Sequence, residues 1–392
     1  MVSRDIKAEI IETLENFPAV MLYGPRQIGK TTLAKQISAD FSKKGHYFDL
    51  EKESDFYALQ TNAYDLLQGL KDDIVVLDEV QHLPKLLSSL RNIIDEHRVT
   101  GRFILLGSAD PQLVEGVSES LAGRVIYTEV SQIHLLEAID TNISQSQHWF
   151  RGGFPEALLL KSDKMWLQWV QSFIQTYVYR DINQLFNINL SPQIILKLWG
   201  MLAHIHSGIE NMEDLARSIG ITGTSVKKYV DYMQGAYLIR RLQPWYINNG
   251  KRLVKSPKIY IRTQGILHYL LNIHTPLALQ THPSLGASWE GYVIEQIWAI
   301  LPSSLHMYYY RTHHGAEIDV VLVKQTSPIA AIEIKYADAP TLSKGFYEAI
   351  HDLSTTKNYV ITPHAHTVSN AQGIIILSLK TFLETELNNI GK

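Results

Sequence analysis

Gly24-Pro25-Arg26-Gln27-Ile28-Gly29-Lys30-Thr31 narrows the folds open to this chain more sharply than any other segment. The segment fits G-x-x-x-x-G-K-[ST] at every fixed position. An apolar run, Ala19 to Tyr23, precedes it, and a helix-like stretch from Thr31 to Ser38 follows. Such a loop wraps inward-facing backbone N–H groups around a polyphosphate, and its glycines permit the wrap. The helix start beyond it adds favourable partial positive charge. Lys30 would place a point charge on the β- and γ-phosphates, and the Thr31 hydroxyl could ligate magnesium, with Thr32 next in the helix. ATP and magnesium are therefore the expected cofactors. The bland alternative is a chance glycine turn.

A second motif argues against chance. Ile74-Val75-Val76-Leu77-Asp78-Glu79 is an apolar strand ending in two acids. Asp78 would hold magnesium through water, and Glu79 would orient and activate the attacking water. Alone, the pair could be a solvated strand end. Further short apolar runs, Phe103 to Leu106 and Val125 to Tyr127, with Tyr47 to Leu50 as another, alternate with helix-like stretches such as Pro84 to Glu96. Continuous apolar strands of this kind suit a parallel sheet covered by helices on both faces.

At 392 residues and 45% hydrophobic content, two or three domains are expected. The net charge of -3 makes any basic surface local. The chain has no cysteine, which removes disulfides, thiolate zinc sites and cysteine nucleophiles. The N-terminus lacks the apolar core of a signal peptide. Apolar runs such as Gly373 to Leu377 are far short of the roughly 20 residues that span a bilayer. A soluble, cytoplasmic chain with no membrane partner is the expectation.

With these two motifs the N-terminal region resembles the AAA-type P-loop ATPases. The resemblance implies a polar sensor at Ser108, in Leu106-Gly107-Ser108, touching the γ-phosphate or the attacking water. It also implies an arginine finger at Arg124, directly before the last strand of the domain, reaching a neighbouring subunit's nucleotide in a homo-oligomer. A salt-bridged loop arginine is the alternative for Arg124. No persuasive sensor-2 arginine is found. Gly152-Gly153-Phe154-Pro155-Glu156 is similar to an element of ATPases near the signal-transducing branch, in which the proline segment packs near the adenine. A tight interdomain turn is the competing reading.

Four regions are expected: an ATPase domain over 1–150, a helical linker or lid over 151–190, a winged-helix domain over 191–270 and a nuclease-like domain over 271–392. Helical stretches run from Lys164 to Phe186 and from Gln193 to His206. Met212 to Ile219 and Thr224 to Gly235 flank the turn Gly220-Ile221-Thr222-Gly223 and carry an apolar inner face, with Thr224 or Ser225 capping the second helix. Tyr237 to Ile239 and Ile259 to Ile261 would pair as a wing. Lys227, Lys228, Arg240, Arg241, Lys251, Arg252, Lys255, Lys258 and Arg262 form a local basic stretch that could contact DNA phosphates, Lys227 and Lys228 foremost. Winged helices also serve as spacers and protein-docking modules.

Toward the C-terminus, Glu317-Ile318-Asp319 and Ile332-Glu333-Ile334-Lys335 read as neighbouring strands joined through Ser327-Pro328, preceded by a helix from Trp289 carrying Glu290. Alternation puts Glu333 and Lys335 on one face and Ile332 and Ile334 toward the core. This order resembles the PD-(D/E)xK restriction-endonuclease-like fold, with Ile318 where the family's proline would stand. The resemblance implies that Asp319 and Glu333, assisted by Glu290, hold magnesium and that Lys335 positions the attacking water. A solvated hairpin edge is the plain alternative. The fold class expected for the whole is α/β: a parallel-sheet AAA-type P-loop domain, a helical winged-helix middle and a restriction-endonuclease-like α/β end. This architecture resembles a large prokaryotic ATPase family. It implies either an ATPase whose nucleotide state controls a DNA-binding, nuclease-like module or a nucleotide-gated scaffold that cuts nothing.

Overall fold

The computed structural model describes residues 2–110, 121, 123–246, 253–364 and 366–390. Helix α1 (Ile6–Asn16) leads into strand β1 (Ala19–Tyr23), helix α2 (Lys30–Asp40), β2 (Gly45–Asp49) and α3 (Glu53–Gln68). Strand β3 (Ile74–Asp78), helix α4 (Pro84–Glu96), β4 (Phe103–Gly107) and β5 (Val125–Glu129) follow. The five strands form one sheet in the order β2-β3-β4-β1-β5, parallel throughout. Strand alternation divides the apolar residues between two cores. Val20, Leu22, Val76, Ile104 and Leu106 pack with α1 and α2, whereas Ala19, Met21, Val75, Leu77, Phe103 and Leu105 pack with α3 and α4. Burial on both faces is why these strands read as continuous apolar runs. All the strands end at one edge, and the loops that follow β1, β3 and β4 meet there.

The middle of the chain is helical. Helix Asp163–Thr176 passes through a π-helical turn, Tyr177–Asp181, into Ile182–Phe186, and helix Pro192–His204 follows. Helices Met212–Ile219 and Gly223–Gly235 meet at a corner. The second is capped by Thr222, whose hydroxyl accepts from the Ser225 N–H at 3.1 Å, rather than by Thr224 or Ser225. The corner belongs one residue earlier because Gly223 already has helical geometry. Strands β6 (Ile239–Leu242) and β7 (Lys258–Ile261) pair antiparallel beside it.

Helix Leu285–Ala299 opens the C-terminal region, four residues ahead of the expected start at Trp289. Strands β8 (Leu305–Arg311), β9 (Glu317–Lys324) and β10 (Ser327–Ile334) pair antiparallel. Helix Lys344–Leu353 then crosses to β11 (Lys357–Thr362), β12 (Val368–Ser369) and β13 (Ile375–Ser378), giving the order β12-β13-β11-β10-β9-β8. Ser327 and Pro328 lie inside β10, not in the turn: Ser327 already pairs with Lys324, so Gln325 and Thr326 make the reversal. Helix Leu285–Ala299 covers Val320, Leu322 and Ile332, and helix Lys344–Leu353 covers Val321, Val323 and Ala331. One apolar core runs unbroken from Val20 through Trp166, Trp199 and Trp289 to Ile332.

Candidate functional site

The glycine-rich loop leaves β1 in backbone conformations that side chains resist. Gly24 has φ 147°, Gln27 φ 64° and Gly29 φ 91°, and a Cβ on Gly24 would lie 2.5 Å from the Val130 carbonyl oxygen. Lys30, the first residue of α2, is buried, and its ammonium donates to the carbonyls of Gly24 at 2.9 Å and Pro25 at 2.7 Å and to Ser108 Oγ at 3.2 Å. Burial pushes the Lys30 pKa down to about 8, against the opposing pull of Glu79 and Asp78. The Ser108 hydroxyl in turn donates to Glu79 Oε1 at 2.7 Å. Thr31 Oγ1 donates to Asp78 Oδ2 at 2.7 Å. Lys30, Thr31, Asp78, Glu79 and Ser108 thus converge from three strand ends, as the hydrogen-bonded chain Lys30–Ser108–Glu79 beside the Thr31–Asp78 pair. Ile28 is buried behind the loop and Thr32 is exposed on the first turn of α2.

Three residues here make contacts with no local sequence signature. Tyr47 on β2 donates its hydroxyl to Asp78 Oδ2 at 2.8 Å, and Gln81 donates to the second Glu79 oxygen. Burial would raise the Glu79 carboxyl, but Lys30, Ser108 and Gln81 outweigh it and hold the pKa below its ordinary value. Glu79 itself sits in the left-handed region at φ 55°. Arg26, an unspecified position of the motif, donates to Asp181 Oδ1 at 2.8 Å and to Glu51 Oε1 at 2.9 Å. It ties the phosphate loop to the buried end of the π-helical turn. The donor set fits a nucleotide with magnesium: a buried ammonium at the loop, and a hydroxyl and a carboxylate oxygen side by side as hard ligands.

Arg124 is not brought to these residues. It directly precedes β5, and Val125 pairs with Ala19, so it lies at the edge of the sheet opposite the loop. Its guanidinium grips both oxygens of Asp95, at 2.6 and 2.7 Å. In the Gly152-Gly153-Phe154-Pro155 segment, the Gly153 carbonyl accepts the Ile133 N–H at 2.9 Å, and Phe154 packs on Trp169 and Phe173.

The C-terminal constellation differs from its expectation. Among the described residues the ligand atoms of Glu290, Asp319 and Glu333 are not grouped within 4.8 Å of one another. A cation from β7 stands among the acids instead. Lys258 Nζ lies 3.1 Å from Glu290, 2.9 Å from Glu317 and 3.4 Å from Asp319. Tyr260, two residues on along the same face of β7, donates to Glu290 at 2.7 Å. Asp319 also accepts the Ile334 N–H at 2.9 Å. Glu333 is buried and paired with Lys335 at 2.7 Å, and burial with Asp319 nearby raises its pKa to about 8. The one triplet within 4.8 Å among the described residues is Asp5, His134 and Glu137. There Arg4 already grips both Glu137 oxygens at 3.1 Å, which anchors the N-terminal helix.

Of the nine residues of the expected basic face, Arg240, Lys258 and Arg262 are buried and Arg241 is half-buried. Arg240 and Arg262 both bind Glu295, Arg262 also reaches Glu129 at 2.6 Å, and Arg241 binds Glu210 and Asp231. Buried guanidinium groups need such partners, and the partners lie far off in sequence. Lys227, Lys228 and Lys255 remain exposed, while Lys251 and Arg252 lie outside the described residues.

Residues 16–139 match the AAA domain family, and residues 143–277 and 285–382 match two domains of unknown function, DUF8612 and DUF4143. Among solved structures, the Walker-type ATPase of Pyrococcus abyssi aligns at 15% identity over 69% of this chain and 96% of that one, with a TM-score of 0.48. RuvB of Thermotoga maritima aligns at 18% identity over 60% and 88%, with a TM-score of 0.32. No described helix is long and apolar enough to cross a membrane. Uncharacterized proteins of Mycobacterium tuberculosis and Mycobacterium bovis are each 36% identical over 382 residues, covering 97% of this chain and 85% of theirs. With a loop of this geometry and identity along almost its whole length, the chain belongs to the family of these mycobacterial proteins, built on an N-terminal AAA domain.

Proposed function

We propose that the chain is a magnesium-dependent ATPase whose nucleotide state is passed to the modules beyond residue 150. The observation that carries this reading is the continuous chain Lys30–Ser108–Glu79 beside the Thr31–Asp78 pair. The amides of Gly24 to Thr32 and the Lys30 ammonium would bind the phosphates, and Thr31 and Asp78 would hold magnesium, which neutralises charge on the phosphates when bound. Glu79, kept ionised by its donors, would accept a proton from the attacking water, and Ser108 would hold that carboxylate in place. Arg26 supports the coupling, since the loop that wraps the nucleotide also grips Asp181.

The test is a pair of variants. Lys30→Ala should abolish ATP binding measured by calorimetry. Glu79→Gln should bind ATP and copurify with it uncleaved, turnover falling at least about 100-fold. Unchanged hydrolysis in either variant contradicts the assignment.

For the C-terminal region the position of Lys258 favours the scaffold reading, with a winged helix and a nuclease-like sheet that is silent while the wing is docked. DNA contact through exposed Lys227 and Lys228 is a subsidiary proposal, as is action of Arg124 in trans within a homo-oligomer, for which its place on the far edge of the sheet is the support.

A further inference from the structure

We propose that Lys258 is a built-in plug: its ammonium occupies the space among Glu290, Glu317 and Asp319 that a divalent cation would take, so wing docking and metal binding there are mutually exclusive. The inference rests on reading the C-terminal sheet as nuclease-like and is independent of the ATPase site.

Lys258 is only 3% exposed, yet it belongs to β7 and not to the sheet it enters. An ammonium this deep is unfavourable without close counter-charge, and here carboxylates from one helix and one strand of a different module supply it. Glu290 comes from helix Leu285–Ala299, and Glu317 and Asp319 from β9. The remaining charges nearby are already committed, Glu333 to Lys335 and Glu317 also to Arg311 at 3.6 Å. The Tyr309 ring closes the pocket 5.7 Å from the Lys258 nitrogen.

The backbone leaves Lys258 little freedom to withdraw. It pairs with Leu242 across the hairpin and bridges to Ile209, and the Ile259 N–H donates to Gly208. Magnesium or manganese would need the same carboxylate oxygens at about 2.1 Å, drawn closer together than they stand around the ammonium, where they are not grouped within 4.8 Å of one another. Two cations cannot share that volume, so a metal enters only when the hairpin carrying Lys258 lifts away.

The experiment is manganese uptake by the full chain without nucleotide, followed by loss of the free-ion electron paramagnetic resonance signal. Lys258→Ala should take up one more manganese per chain than the wild type, and Lys258→Ala with Asp319→Asn should lose it again, with ATP binding unchanged. Equal uptake by wild type and Lys258→Ala overturns the plug, as does an extra ion indifferent to Asp319→Asn. Should Lys258→Ala fail to fold, hydrogen exchange on the wild type decides. Millimolar manganese should raise amide exchange in β6 and β7, and Asp319→Asn should abolish the response. A rise in exchange that persists in Asp319→Asn refutes the proposal.

Discussion

Ser108 sits between the two charges of the nucleotide site, accepting from Lys30 at 3.2 Å and donating to Glu79 at 2.7 Å. A hydroxyl in that position keeps a buried ammonium and a half-buried carboxylate apart at a fixed distance. Without it the two would collapse into a direct pair, and Glu79 would be drawn off the line needed to reach a water. Ser108→Ala should therefore lower kcat about tenfold while leaving ATP affinity within about threefold. Single-turnover hydrolysis beside equilibrium binding separates the two effects. A parallel loss of affinity would make Ser108 a binding group instead. Ser108 was singled out in the sequence only through the resemblance to AAA-type ATPases, which implies a polar sensor after Leu106 and Gly107. Its neighbours Tyr47 and Gln81 were not, since their contacts depend on which strand lies beside β3 and how Glu79 turns.

Strands and their order set what each element can reveal beforehand. The parallel sheet was readable because burial on both faces leaves an uninterrupted apolar run, and Lys30, Asp78 and Glu79 carry a motif fixed by phosphate chemistry. The basic stretch around β6 and β7 differs from its reading as a surface because Arg240, Lys258 and Arg262 have partners 32 to 133 residues away, so local charge counting sees cations without their carboxylates. Lys258 did carry a faint signal, alternating with Ile259 and Ile261 so that it shares a face with Tyr260. Another element-level contact is equally silent in sequence: Gly152 and Gly265 let the end of helix Gln145–Arg151 meet the start of helix Gln264–Leu270. A Cβ on Gly265 would stand 2.1 Å from the Arg151 carbonyl oxygen, whereas one on Gly200, within helix Pro192–His204, meets nothing within 4 Å. Gly265→Ala should destabilise the protein by about 3 kcal/mol, since backbone cannot yield as a side chain can. Gly200→Ala should be neutral or stabilise by up to about 1 kcal/mol through helix propensity. Urea midpoints of both variants check the contrast, and equal midpoints would disprove the close approach.

At the scale of the whole molecule the modules are fastened by neutral histidines. His148 bonds the Tyr292 hydroxyl at 2.7 Å and the Ile133 carbonyl at 2.9 Å, linking helix Gln145–Arg151 to helix Leu285–Ala299. His268 does the same between the Phe150 carbonyl at 2.9 Å and Ser288 at 2.7 Å. His206 accepts the Ile261 N–H at 2.9 Å, and therefore that nitrogen must be unprotonated. Burial pushes the three pKa values down to about 4, about 4 and about 3 respectively. The unfolded chain takes protons at its histidines near pH 6.5 while the folded one refuses them, so the unfolded state binds more protons in between. Stability from these groups is complete above pH 6.5 and is lost as the pH falls toward 4, by up to about 1.4 kcal/mol per pH unit for each histidine. The denaturant midpoint should thus drop steeply between pH 6.5 and 4.5. The slope should shrink in His148→Gln, whose amide can retain one of the two bonds without titrating. Because each histidine joins helix Leu285–Ala299 or β7 to the rest, separation of those parts should precede loss of the N-terminal sheet, with Trp289 fluorescence changing at higher pH than the sheet's amide exchange. A midpoint flat across that range would mean that these imidazoles carry protons in the folded protein, and the fastening described here would be wrong.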